Sequence, residues 1–171
     1  MLKPIARTKL RASGAQFAIV ASRYNARYVD AMLRAAKAEL KRGAARRIEI
    51  IRVPGAYEIP IVAARLARLS CPVAFSSASN TGRAGPFAAV ICLGVIFRGQ
   101  TTHAAHIGEA VSRALMEIQV RYEVPVIHEV LLLENEQQAR VRCLGREHNR
   151  GAEAAQTALA MARVMKTTTL E

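Results

Sequence analysis

Two hydrophobic periodicities alternate along the chain: short apolar runs of strand length, and longer stretches in which apolar residues recur every three or four positions. The first run, Phe17 to Ala21, reads as a buried strand. A helical pattern follows from about Asn25 to Lys41, with Val29, Met32, Leu33, Ala36 and Leu40 on one face and Arg27, Arg34, Lys37 and Lys41 mainly elsewhere. Gly43 is expected to end it in the usual manner of a glycine that follows a helix. Ile48 to Val53 reads as the second strand, VPGAY as a turn, and Glu58 to about Leu69 as a helix whose stripe includes Ile59, Val62, Ala63 and Leu66. Ala88 to Leu93 is the third strand, apolar enough throughout for a central position. After a loop from Gly94 to Gln100 the spacing predicts the longest helix, about Thr102 to Tyr122, with Ile107, Val111, Ala114, Leu115 and Ile118 buried. Pro125 to Val130 is the last strand and Asn149 to Lys166 the last helix, with Asn149 as N-cap and Glu153 adding favourable charge to its first turn.

Strands alternating with helices in this way predict an α/β fold, a parallel sheet of about four strands covered on both faces. The 171 residues suit one domain, 1–171, with an N-terminal arm over 1–14 and a short tail over 167–171. CPVAFSSASNTGRAGP, residues 71 to 86, breaks the rhythm and is predicted to be an exposed, mobile loop. No internal repeat is visible. No apolar run has the length to cross a bilayer and the start lacks the apolar centre of a secretory signal, so a cytoplasmic location with no membrane partner is expected.

A net charge of +12 brings nucleic acid into question, because clustered Lys and Arg release counterions from phosphates. The 25 basic residues are spread out, however, and with no Trp and 5% aromatics there is no stacking platform for bases. A solvated basic surface that attracts anionic substrates is the expected reading, with no specific nucleic-acid partner. Cys71, Cys92 and Cys143 are odd in number and contain no CxxC pair, which speaks against a disulfide framework or a cysteine zinc site.

Ligands in parallel α/β sheets bind beyond the carboxyl ends of the strands, which directs attention to Ser22–Asn25, Pro54–Glu58, Gly94–His103 and the chain from Leu131 onward. GVIFRGQTTHAAH, residues 94 to 106, is the richest segment. Gly99 allows close backbone approach, and Gln100, Thr101 and Thr102 offer amides and hydroxyls at a helix start, a fitting seat for phosphate. His103 beside it can relay protons; the same residues also read as a capped helix start with a surface histidine. His103 and His106 share a helix face, but with only Glu109 as a further ligand nearby no metal is expected. Tyr57 and Glu58 follow a strand at a turn whose amides suit a flat heterocycle, or simply begin a helix. Arg142, Arg146 and Arg150 can hold a phosphate with paired donors or remain solvated.

Taken together and in order, ASRYN, VPGAYEIP, LGVIFRGQTTH, VPVIHEVLLLEN and GREHNRGAEAA resemble the lumazine synthases of riboflavin biosynthesis, from about residue 16 to 165. The resemblance implies a flavodoxin-like three-layer α/β/α sandwich. It implies condensation of 5-amino-6-(D-ribitylamino)uracil with 3,4-dihydroxy-2-butanone 4-phosphate to 6,7-dimethyl-8-ribityllumazine, releasing phosphate and water, with no metal or organic cofactor. Position by position, it places Tyr24 against the pyrimidine, has Ala56, Tyr57 and Glu58 contact the ring and ribityl chain, and has Val95, Ile96 and Phe97 line the same pocket. Gln100 and Thr101 would hold the butanone phosphate, with Arg142 as the second phosphate ligand, and His103 would transfer protons.

The resemblance also implies a homo-oligomer, a pentamer or a sixty-subunit shell built from pentamers, in which His128 and Arg142 reach a neighbour's site. The chain departs from the family pattern in three places. His128 stands where Phe is common, AAHI after His103 replaces an aromatic-acidic pair, and the loop 71–86 is longer than usual. Two non-catalytic readings remain beside the enzyme: a flavodoxin-like module that holds a flavin or nucleotide, and a basic shell-forming scaffold for anionic cargo. A protein that stays yellow without making lumazine marks the first. Salt-sensitive nucleic-acid retention without turnover marks the second.

Overall fold

The computed structural model describes residues 10–12, 14–71, 86–145 and 148–168. The order is β1 (Gln16–Ser22), α1 (Ala26–Arg42), β2 (Arg47–Val53), α2 (Ile59–Ser70), β3 (Ala89–Phe97), α3 (His103–Tyr122), β4 (Val126–Leu133), a single turn α4 (Glu136–Ala139) running into a π-helical turn (Arg140–Leu144), and α5 (Arg150–Thr167). All four strands are parallel, in the order β2-β1-β3-β4. Alternate side chains of β1 explain the layers. Phe17, Ile19 and Ala21 join Met32, Leu40, Ala158 and Leu159 from α1 and α5, while Ala18 and Val20 join Ile59, Ala63, Val111 and Leu115 from α2 and α3. Both faces are therefore covered, which is why the central strands are apolar without alternation. The result is the expected flavodoxin-like three-layer sandwich with a four-stranded parallel sheet.

Three expectations change. The third strand does not stop at Leu93: Gly94 to Phe97 continue it, paired with Val130 to Leu133, so β4 also outruns its expected end at Val130. Gly94 reads as a breaker in sequence, but a Cβ there would come within 3.1 Å of Val130 Cγ1 and 3.3 Å of Ile59 Cδ1. The glycine admits the start of α2 to the sheet rather than ending the strand. Gly43 does not end α1 in the left-handed conformation, since its φ is −74° and Ala44 takes the positive φ of 59°. Gly43 is small for another reason, because a Cβ would meet Leu159 Cδ1 at 2.6 Å.

The third change concerns the chain after Leu131, which is not simply loop. Asn135 accepts from Gln138 N–H at 3.0 Å while Gln138 Oε1 accepts from Glu134 N–H at 3.0 Å, a reciprocal cap that starts α4. Asn149 does cap α5, accepting from the N–H groups of Gly151 and Ala152. The expected loop 71–86 and arm 1–14 fall largely outside the described residues, and so does the end of the tail.

Candidate functional site

The chain leaves β1 toward β2 and leaves β3 toward β4, so these two neighbouring strands part company at their carboxyl ends and open a crevice there. A cleft of about 990 Å³ lies in it. Tyr24 and Asn25 line it after β1, Pro54 to Glu58 after β2, Val95 to Phe97 at the end of β3, and His103, Ala104, His106, Ile107 and Ala110 along α3. Tyr24, Ala56, Tyr57, Glu58, Val95, Ile96, Phe97 and His103 are thus brought together as the sequence predicts, although Val95 to Phe97 belong to a strand end rather than a loop.

Local hydrogen bonds shape each wall. Asn25, in the left-handed region at φ 54°, makes no cap of its own for α1 and instead donates from Nδ2 to Val95 O at 2.8 Å, joining the first and third walls. Gly55 N–H donates to Glu58 Oε2 at 2.8 Å, which folds the turn after β2 back on itself and commits one carboxylate oxygen. Arg52 donates to Ser22 O at 2.9 Å and to Asp30 at 2.5 Å, tying the ends of β1 and β2 to α1. Phe97 meets the buried ring of Tyr28 edge-on, with centroids 5.7 Å apart, and this braces the apolar wall. Tyr24 and Tyr57 are exposed by 74% and 64%, two aromatic rings free to close on a flat ligand.

His103 is the first residue of α3 and is exposed; the N-cap Thr102 makes no side-chain hydrogen bond. Gln100 and Thr101 are exposed in the bend just before it, outside the cleft lining. A Cβ on Gly99 would meet only open space, so nothing in the fold itself demands glycine there. Among the described residues no cluster of three or more His, Cys, Asp or Glu has the arrangement to hold a metal. No described helix is long and apolar enough to cross a membrane.

His128 and Arg142 do not line the cleft of their own chain. The His128 ring lies half-buried against α3, its Nε2 2.9 Å from Ser112 Oγ and its Nδ1 accepting from Val130 N–H at 3.3 Å. Burial lowers its pKa, an environment that suits the neutral imidazole. Arg142 is exposed on the π-helical turn. Cys92 is fully buried, and burial pushes its thiol far up, while burial and the neighbouring Glu129 push Cys143 up to about 11; neither is a nucleophile. Asn25, Pro54 and Gly55 lie in the strand-end loops that the sequence singles out, whereas Ala104, Ile107 and Ala110 of α3 are wall residues that it does not mark. The signal for these three is their place on one face of the helix that follows the third strand, beside His103.

The profile of one family, 6,7-dimethyl-8-ribityllumazine synthase, matches residues 14–166. Among curated proteins, one named 6,7-dimethyl-8-ribityllumazine synthase from Stenotrophomonas maltophilia (strain R551-3) is 38% identical over 154 residues, 89% of this chain and 90% of that protein. Proteins of the same name from Xylella fastidiosa (strain M12) and Xanthomonas axonopodis pv. citri (strain 306) are 38% and 36% identical over 159 residues, 92% of this chain and 94% of each.

Proposed function

The chain belongs to the 6,7-dimethyl-8-ribityllumazine synthase family, and from that premise we propose how its own residues carry the reaction. It is a transferase that condenses 5-amino-6-(D-ribitylamino)uracil with 3,4-dihydroxy-2-butanone 4-phosphate to 6,7-dimethyl-8-ribityllumazine, with loss of phosphate and water. Family membership sets aside the two non-catalytic readings.

The single observation that carries the site assignment is that His103 opens α3 on the wall of the cleft that also holds Tyr24, Ala56 to Glu58 and Val95 to Phe97. Tyr24 stacks on the pyrimidine, Ala56, Tyr57 and Glu58 hold the ring and ribityl chain, and Val95 to Phe97 form the apolar wall. The uncommitted oxygen of Glu58 is the one available to ribityl hydroxyls. The phosphate of the second substrate sits at Gln100 and Thr101, where the opening turn of α3 has no side-chain cap. His103 then moves protons as the amine adds to the ketone, phosphate leaves and the ring closes. Holding the two substrates in contact supplies much of the remaining acceleration.

A neighbouring copy completes the site with its His128 and Arg142, a reading supported by the position of both residues away from their own cleft. Exposed Ile61 on α2 and Met116 and Val120 on α3 supply apolar surface for such assembly. The protein forms a homo-oligomer, a pentamer or a shell of pentamers, in the cytoplasm; light scattering that finds a monomer at assay concentrations refutes this.

Mixing both substrates with purified protein and following lumazine fluorescence above the uncatalysed background tests the assignment as a whole. Arg142→Ala raises the KM for the phosphorylated substrate on the order of tenfold, as expected for loss of one charge-assisted contact. An effect confined to the pyrimidine substrate removes Arg142 from the phosphate seat.

A further inference from the structure

Glu129 is a buried carboxylate that the reaction as described does not use. It lies on β4 beside Leu93 of β3 and is only 7% exposed. Its strand neighbours His128 and Val130 face α2 and α3, so Glu129 faces the opposite layer, where its Oε2 accepts from Arg150 Nε at 3.0 Å. The same guanidinium donates to Glu153 at 2.6 Å. Arg142, exposed on the π-helical turn, is near enough for its charge to act on Glu129 and makes no ion pair of its own among the described residues. Asn149 fastens the two arginine-bearing segments together, donating to Cys143 O at 2.6 Å while its Oδ1 caps α5. A buried carboxylate thus holds one guanidinium directly and feels the charge of a second, the kind of partners that an external phosphate would seek.

We propose that Glu129 sets the affinity of the phosphate seat, its carboxylate competing with substrate phosphate and released phosphate for Arg142 and Arg150. This rests on the assignment of Arg142 to phosphate. Competition keeps product phosphate from lingering at the cost of weaker substrate capture.

The competitor can be switched off. Burial, reinforced by Glu153 and offset by Arg150 and Arg142, pushes the Glu129 carboxyl up to about 7. Below that pH the group is protonated and its own hold on the guanidiniums is lost, while Arg150 keeps its bond to Glu153; above it the charge is present and anion binding weakens. The remaining titratable group in contact through charge is the Cys143 thiol, which stays protonated throughout. His148, exposed near Arg150, is present with and without the substitution below, which separates its contribution.

Sulfate keeps both charges across this range and is the probe. Calorimetry on the assembled protein, about one pH unit below and above the Glu129 midpoint, is expected to find sulfate roughly tenfold tighter at the lower pH. Glu129→Gln is expected to bind tightly and equally at both, and Arg142→Ala weakly at both. Sulfate affinity that does not change with pH in the unmodified protein overturns the proposal without requiring any variant to fold. So does Glu129→Gln binding no tighter than the unmodified protein at the higher pH. If either occurs while Arg142→Ala still weakens sulfate, the phosphate seat stands and only the competition fails. Arg142→Ala without effect brings down the seat assignment and the competition with it.

Discussion

His103→Ala is expected to lower kcat on the order of 10²-fold, to leave KM for both substrates within a few-fold, and to retain turnover well above the uncatalysed reaction. The direction follows from position. His103 is the opening residue of α3, exposed toward the cleft and engaged in no side-chain hydrogen bond or ion pair among the described residues, so removing the imidazole leaves the fold undisturbed. Alanine is also the best helix former, so α3 still begins where it did. What disappears is a proton carrier; what stays is the cleft that holds the amine against the ketone, and proximity alone contributes many orders of magnitude. Steady-state lumazine formation with circular dichroism on the same samples checks this, and a rate equal to the unmodified protein's removes His103 from the mechanism.

The layers, the strand number and the cleft walls were legible in sequence because each rests on a local signal. Continuous apolar strands report burial on both faces, helical stripes report one covered face, and VPGAYEIP and RGQTTH fall where a parallel sheet exposes its strand ends. What escaped was set by contacts between distant elements. Gly94 looks like punctuation until Val130 and Ile59 are seen to crowd it, and Gly43, which does cap α1, owes its small size to Leu159 rather than to a left-handed turn. Both glycines answer to packing between elements distant in sequence, which no local rule registers. Asn135 and Gln138, by contrast, form a reciprocal cap whose spacing is readable in the sequence, and the signal was there to be used. His128 and Arg142 are a different case: in sequence only the family resemblance attaches them to a site, and in the folded chain both lie off the cleft.

The same dependence on distant contacts makes Gly151 the position where the smallest substitution does the most damage. It is buried in the first turn of α5, and a Cβ there would lie 2.0 Å from Met32 O and 2.6 Å from Met32 Cα. The obstacle is backbone of α1, so no rotamer change relieves it, and α5 has to move off α1. Ala154, Ala155, Ala158 and Ala162 keep the rest of α5 small along its buried side, and Asn149 pins its start, so the shift cannot stay local. Alanine gains about 1 kcal/mol in helix propensity over glycine, but overpacking against rigid backbone costs more, about 3 kcal/mol or above. Gly151→Ala is therefore expected to lower Tm by about 4–8 °C for a net loss near ~2 kcal/mol, given the size of the chain. Gly99→Ala is the matched control, since its Cβ would meet open space and its melting should stay where it was or rise slightly. Because Met32 belongs to the helix that begins directly after Tyr24 and Asn25, the displaced α1 also disturbs the first wall of the cleft, and the KM for the pyrimidine substrate should rise in parallel. A Gly151→Ala protein that melts with the unmodified one would show that the two helices do not meet at backbone distance there.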